Sequence, residues 1–70
     1  MTSQMEERLR EALGDKAFKA LRWYVSRETG IDIVEALTRG YVKEVKEALE
    51  RFFKSSYAAE LLLRIAGVEG

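Results

Sequence analysis

Hydrophobic residues recur along the chain with the period of an α-helix, in five segments separated by glycines or by residues that cap helices. At about 100° per residue, the apolar positions of each segment gather on one side. We therefore predict an all-α fold, a compact and irregular bundle of five short helices at residues 4–13, 16–28, 33–39, 41–54 and 57–66. The short connections leave no room for a linker, so residues 1–70 should form a single domain.

Local signals set these boundaries. Ser3 with Glu6 and Asp32 with Glu35 have the spacing of capping boxes, in which a side chain at the start of a helix satisfies a free backbone N–H. A serine at position 55 or 56 should cap the last helix. Glycine reaches the left-handed conformation at helix ends without strain. The helices should therefore end near Gly14, Gly30, Gly40 and Gly67.

The last helix is the most apolar segment. Over residues 56–67, apolar side chains cover more than half of the helix circumference, and only the edge with Glu60 and Arg64 is fully polar. Such a helix must be surrounded, so we predict that it is central and that aromatic residues of the second and fourth helices cover it. The predicted core consists of Phe18, Leu21, Val45, Leu49, Phe52, Leu61, Leu62 and Ile65.

Composition excludes much chemistry. The chain has neither cysteine nor histidine, which removes disulfides, the usual zinc ligands and the commonest general base. The glutamates at 44, 47, 50 and 60 fall on predicted solvent-facing sides, and the serines at 3, 55 and 56 are better explained as helix caps than as nucleophiles. We therefore expect no enzyme, no metal, no cofactor and no small-molecule substrate. The longest apolar run, at residues 61–63, is too short to span a membrane, and the polar start does not resemble a signal peptide. These features favour a cytoplasmic protein.

Twelve basic and twelve acidic residues cancel, so any preference for a charged partner must be local. One side of the second helix collects four cations and a tryptophan with no acid among them: Lys16, Lys19, Arg22, Trp23 and Arg27. A tryptophan flanked by cations suits a protein-binding hot spot, an acidic partner, or a phosphate with a stacked base. The alternative is that Trp23 is covered by the first helix or the C-terminal tail and the cations are merely solvated.

Residues 25–37 resemble the turn of a helix-turn-helix, in which a Thr-Gly-Ile segment joins two helices and the second enters the major groove of DNA. The resemblance implies DNA binding through the helix at residues 33–39. That helix offers Glu35, Thr38 and Arg39 as its polar groups, few for reading bases and neutralising phosphates. Nucleic acid is therefore not the favoured partner.

A further candidate is an oligomer face on the last helix, centred on Ala59, Leu63 and Ala66, where small side chains permit close approach of a second copy. Burial of these residues by the first helix is the alternative. The chain also lacks asparagine and proline, which fits a heat-adapted protein and equally a helical protein designed de novo. The sequence thus favours a small protein-interaction module or accessory subunit, with a purely structural design as the alternative.

Overall fold

The computed structural model describes residues 4–68, which form five α-helices and no strand. The helices are α1 (Gln4–Leu13), α2 (Asp15–Thr29), α3 (Ile33–Thr38), α4 (Val42–Phe53) and α5 (Ser56–Ile65). The predicted all-α bundle is confirmed, and every predicted helix boundary lies within one residue of the observed one. The agreement arises because the ends are set by local groups that are readable in the sequence.

Two of those ends are capped as predicted. The Asp32 carboxylate accepts a hydrogen bond from the Val34 N–H at 3.2 Å, and the Ser55 hydroxyl accepts one from the Ala58 N–H at 3.2 Å. The capping box predicted for Ser3 and Glu6 involves Ser3, which lies outside the described residues. One end is unexpected, since α4 stops at Lys54, which adopts the left-handed conformation with φ 57°. A side chain in that conformation costs about 1 to 2 kcal/mol relative to glycine.

Helices α2 and α4 form the centre of the bundle. They pack against each other, α2 also contacts α1 and α3, and α4 also contacts α3 and α5. The predicted central position of the last helix is therefore wrong, because α5 packs chiefly on α4 and α1. Only one arc of α5 is covered, and that arc carries Ala59, Leu62 and Leu63.

The core contains five of the predicted residues, namely Phe18, Leu21, Val45, Leu49 and Leu62. Phe52 and Ile65 are only partly buried. Leu61 is 43% exposed because it lies on the side of α5 that faces away from α4 and α1, so its assignment to the core is wrong. The core also draws on α1 and α3, through Leu9, Ile33, Ala36 and Leu37.

Candidate functional site

The outer face of α2 consists of Lys16, Lys19, Ala20, Trp23, Ser26 and Arg27. These residues lie at spacings of three, four and seven, which places them on one side of the helix. All six are exposed, while Phe18, Leu21 and Val25 on the opposite side are fully buried. Trp23 is 62% exposed, so neither α1 nor any other described segment covers it. The face is open to a partner.

The charge of the outer face of α2 is positive and locally unopposed. Within residues 4–68, Lys16, Lys19 and Arg27 form no ion pair. The acids at the two ends of α2 point to other partners. Asp15 pairs with Arg10 at 3.3 Å, and Glu28 pairs with Arg51 at 3.2 Å.

The aromatic centre of the face is already in contact with one of these cations. The guanidinium carbon of Arg27 lies 5.3 Å from the centroid of the Trp23 ring. This is the geometry of a cation–π contact, which restricts both side chains before any partner arrives. The contact leaves the outer part of the indole accessible, because Trp23 remains mostly exposed.

Arg22, which the sequence places on the same basic face, is held in contacts within the fold. Its guanidinium hydrogen-bonds the Asp32 carboxylate, with one N–O distance of 3.2 Å, and pairs with Glu6 at 3.4 Å. It also lies 5.7 Å from the Phe18 ring centroid. The Asp32 hydrogen bond is the main cause that raises the pKa of Arg22 above its ordinary value. This stabilisation is fully present below that ordinary value and would be lost only as pH rises beyond it.

The helix-turn-helix-like corner has little free charge. Arg39 pairs with Glu35 at 2.8 Å, and the Thr38 hydroxyl donates to the Val34 carbonyl at 2.8 Å. These are the three polar groups that the sequence assigns to the second helix of the corner. That helix, α3, has only six residues. The geometry therefore offers few groups for base edges or phosphates at this position.

The oligomer face predicted on the last helix lies inside the chain. Ala59, Leu63 and Ala66 are 0%, 5% and 3% exposed, which corresponds to the burial alternative. The apolar side chains that α5 leaves in solvent are instead Tyr57, 73% exposed, and Leu61. Tyr57 is an exposed aromatic residue that the sequence-based prediction does not identify. Its position one helical turn before Leu61, beside the polar edge of Glu60 and Arg64, was the available signal.

Two open grooves border α4. The first runs between α4 and α5 with Lys43, Lys46, Glu60 and Arg64 at its rim, where Lys46 and Glu60 pair at 3.3 Å. The second carries mainly acids and an aromatic ring, with Glu28, Glu44, Glu47, Arg51 and Tyr41 among its lining residues. Neither groove has a floor of buried polar side chains, since residues 4–68 contain no buried polar or charged residue. Both are ordinary surface depressions between helices.

Among residues 4–68, no cluster of three or more acidic side chains has an arrangement that could hold a metal ion. None of the described helices combines the length and hydrophobicity that crossing a membrane requires. Comparison of the chain with protein-family models, with curated proteins and with solved structures finds no match in any of the three. The geometry of the outer face of α2 therefore carries the functional argument.

Proposed function

We propose that this protein is a non-catalytic interaction module, acting as a small accessory subunit of a larger assembly, and that it binds a partner protein through the outer face of α2. The observation that carries the proposal is the 62% exposure of Trp23, at the middle of a helix whose Phe18, Leu21 and Val25 side chains are buried. Tryptophan and arginine are the residues that most often dominate the energy of protein interfaces. Here they lie in contact, at 5.3 Å.

The energetic case rests on what the free protein leaves unsatisfied. The exposed indole keeps most of its solvent-accessible surface when the chain folds. A partner can therefore still bury this apolar surface, which stabilises a complex by about 25 cal/mol per Å² buried. Arg27 already restricts the ring, which lowers the entropy that binding must overcome. Lys16 and Lys19 can attract a partner without first breaking an ion pair of the described chain.

DNA binding through the corner between α2 and α3 is the weaker alternative. Of the three arginines near that corner, Arg22 and Arg39 are each paired with a carboxylate, and only Arg27 has no ion pair with the described residues. A duplex held through phosphates requires several free cations, and its affinity falls steeply with salt. A design without any partner is the other alternative, and it gives no reason for an exposed tryptophan beside three cations that form no ion pair with residues 4–68.

The proposal is tested by affinity capture from a lysate of the source cell. The wild-type chain should retain a specific partner, and Trp23→Ala combined with Arg27→Glu should abolish that retention. A matched control is Tyr57→Ala combined with Arg64→Glu, which removes an exposed aromatic residue and reverses a charge on α5. The control should retain the partner at the wild-type level. Equal retention by both double variants, or no specific partner at all, would contradict the proposal.

A further inference from the structure

We infer that the partner presents to the outer face of α2 an acidic helix, in which an apolar residue has a carboxylate one helical turn before it and another one turn after it. This inference rests on the proposed function, and it adds the chemistry and spacing of the partner surface. It follows from the sign of the free charges, from their spacing, and from the relief around Trp23.

The charges on the outer face of α2 are all positive. Lys16, Lys19 and Arg27 form no ion pair within the described chain, and none of the six residues of the outer face of α2 is an acid. The nearest acid of the helix, Asp15, lies one turn before Lys19 and pairs with Arg10 at 3.3 Å. Burying these cations against a neutral surface would remove their hydration without compensation. Carboxylates on the partner restore favourable interactions and speed association. An acidic surface is therefore the complement of this face.

The spacing of the charges fixes the motif. Lys19 and Arg27 lie four residues before and after Trp23, which places them about 6 Å away on either side along the helix axis. A partner helix that lies along α2 meets both cations if its acids are four residues before and after an apolar residue. Lys16 extends the row by another turn, so a third acid at that end adds a further contact.

The shape of the surface around Trp23 favours a helix as the partner element. Ala20 and Ser26, three residues before and after Trp23, are small and exposed. Side chains this small leave room beside the indole for a leucine or isoleucine of a partner helix, as ridges fit grooves between helices. The face belongs to a helix of 15 residues and has no sheet edge that an extended strand could join.

The first test measures a fluorescein-labelled alanine-based peptide that carries Glu-x-x-x-Leu-x-x-x-Glu, by fluorescence anisotropy against the whole protein. The wild type should bind it saturably, and Trp23→Ala should lower the affinity at least tenfold. Titrating the unlabelled peptide should also shift the emission of Trp23 to shorter wavelength, because binding removes the indole from water. The signal is specific to this position, since Trp23 is the only tryptophan in the chain. A peptide of the same composition, with its glutamates on the side opposite the leucine, should bind at least tenfold more weakly.

The second test exchanges the charges. Lys19→Glu combined with Arg27→Glu should reject the acidic peptide and bind Lys-x-x-x-Leu-x-x-x-Lys, which the wild type should not bind. The matched control, Lys43→Glu with Arg64→Glu, makes the same charge change in the groove between α4 and α5 and should keep the wild-type affinity within twofold. Circular dichroism should show that all variants retain the helical fold.

Failure of the acidic peptide to bind the wild type would overturn the inference, and so would any of three other outcomes. The two glutamate arrangements could bind equally well, the charge-exchanged variant could fail to bind the lysine peptide, or a DNA duplex could bind the wild type more tightly than the acidic peptide at the same salt concentration. If the lysate partner is lost with Trp23→Ala and Arg27→Glu while the peptide does not bind, the proposed function stands and this inference fails. If the variants affect neither, both fail.

Discussion

Two sides of helix α2 both carry cationic and aromatic side chains, but these side chains make contacts within the fold on one side and are exposed to solvent on the other. On one side, Arg22 joins α2 to α1 through Glu6 and to the start of α3 through Asp32, and it lies over the ring of Phe18 on its own helix. On the outer face, Lys19 and Arg27 form no ion pair with any other residue of the described range 4–68, and Trp23 lies open to solvent. Positions 22 and 23 are neighbours, yet 100° of rotation separates a side chain that holds the fold together from one that is free to bind. A basic residue that is already paired within the fold therefore has less charge to offer a partner than one that is not.

The two aromatic residues of α2 show the same contrast. Phe18 is buried, and the guanidinium groups of Arg10 and Arg22 lie 5.6 and 5.7 Å from its ring centroid. Trp23 has one such contact, with Arg27, and most of its surface is exposed. The first ring is part of the core, while the second contributes little to it.

The largest expected effect separates these two rings. Phe18→Ala should lower the free energy of unfolding by about 3 to 5 kcal/mol, because it empties a fully buried site, and this is comparable to the whole stability of so small a domain. Trp23→Ala should change it by less than about 1 kcal/mol, since little of the indole is packed. Urea unfolding followed by circular dichroism measures both. Similar losses for the two variants would contradict the distinction between core and binding surface.

A smaller effect separates the cations. Arg22→Ala should lower the free energy of unfolding by about 1 to 2 kcal/mol, since it removes a charged hydrogen bond and leaves Asp32 and Glu6 without this partner. Lys19→Ala should change it by no more than about 0.5 kcal/mol, because the exposed Lys19 side chain forms no ion pair or hydrogen bond with the described residues. Thermal unfolding at low and high salt gives the comparison, and added salt should narrow the difference. A Lys19→Ala loss as large as that of Arg22→Ala would show that the outer face is part of the scaffold.

The helices were predictable because their ends depend on nearby residues. Gly30 donates its N–H to the Ser26 carbonyl at 2.8 Å, and Asp32 caps α3, both within one turn of chain. The position of α5 was not predictable in this way. Its sequence shows how much of the helix is apolar, but which arc becomes covered depends on where α1 and α4 pack. The sequence therefore predicts Leu61 in the core, whereas in the structure Ala59 and Leu63 are buried and Leu61 is exposed.

The candidate site was partly predictable for the same reason. The spacing of Lys16, Lys19, Trp23 and Arg27 along α2 is a property of the helix period, so the sequence groups them on one face. The same spacing groups Arg22 with them, but it does not show that Arg22 pairs with Asp32, which is ten residues away and comes within reach only after the chain turns into α3. Exposure of Trp23 likewise depends on what the rest of the fold leaves uncovered.

The most direct test of the exposed, cationic surroundings of Trp23 is collisional quenching of its fluorescence in the free protein. Because the chain has a single tryptophan, the signal reports on this position alone. We predict emission typical of a solvated indole, with stronger quenching by the iodide anion and weaker quenching by the caesium cation than each ion gives with free tryptophan, since Lys19 and Arg27 attract one ion and repel the other. Emission typical of a buried indole, with equal protection from both ions, would contradict this prediction.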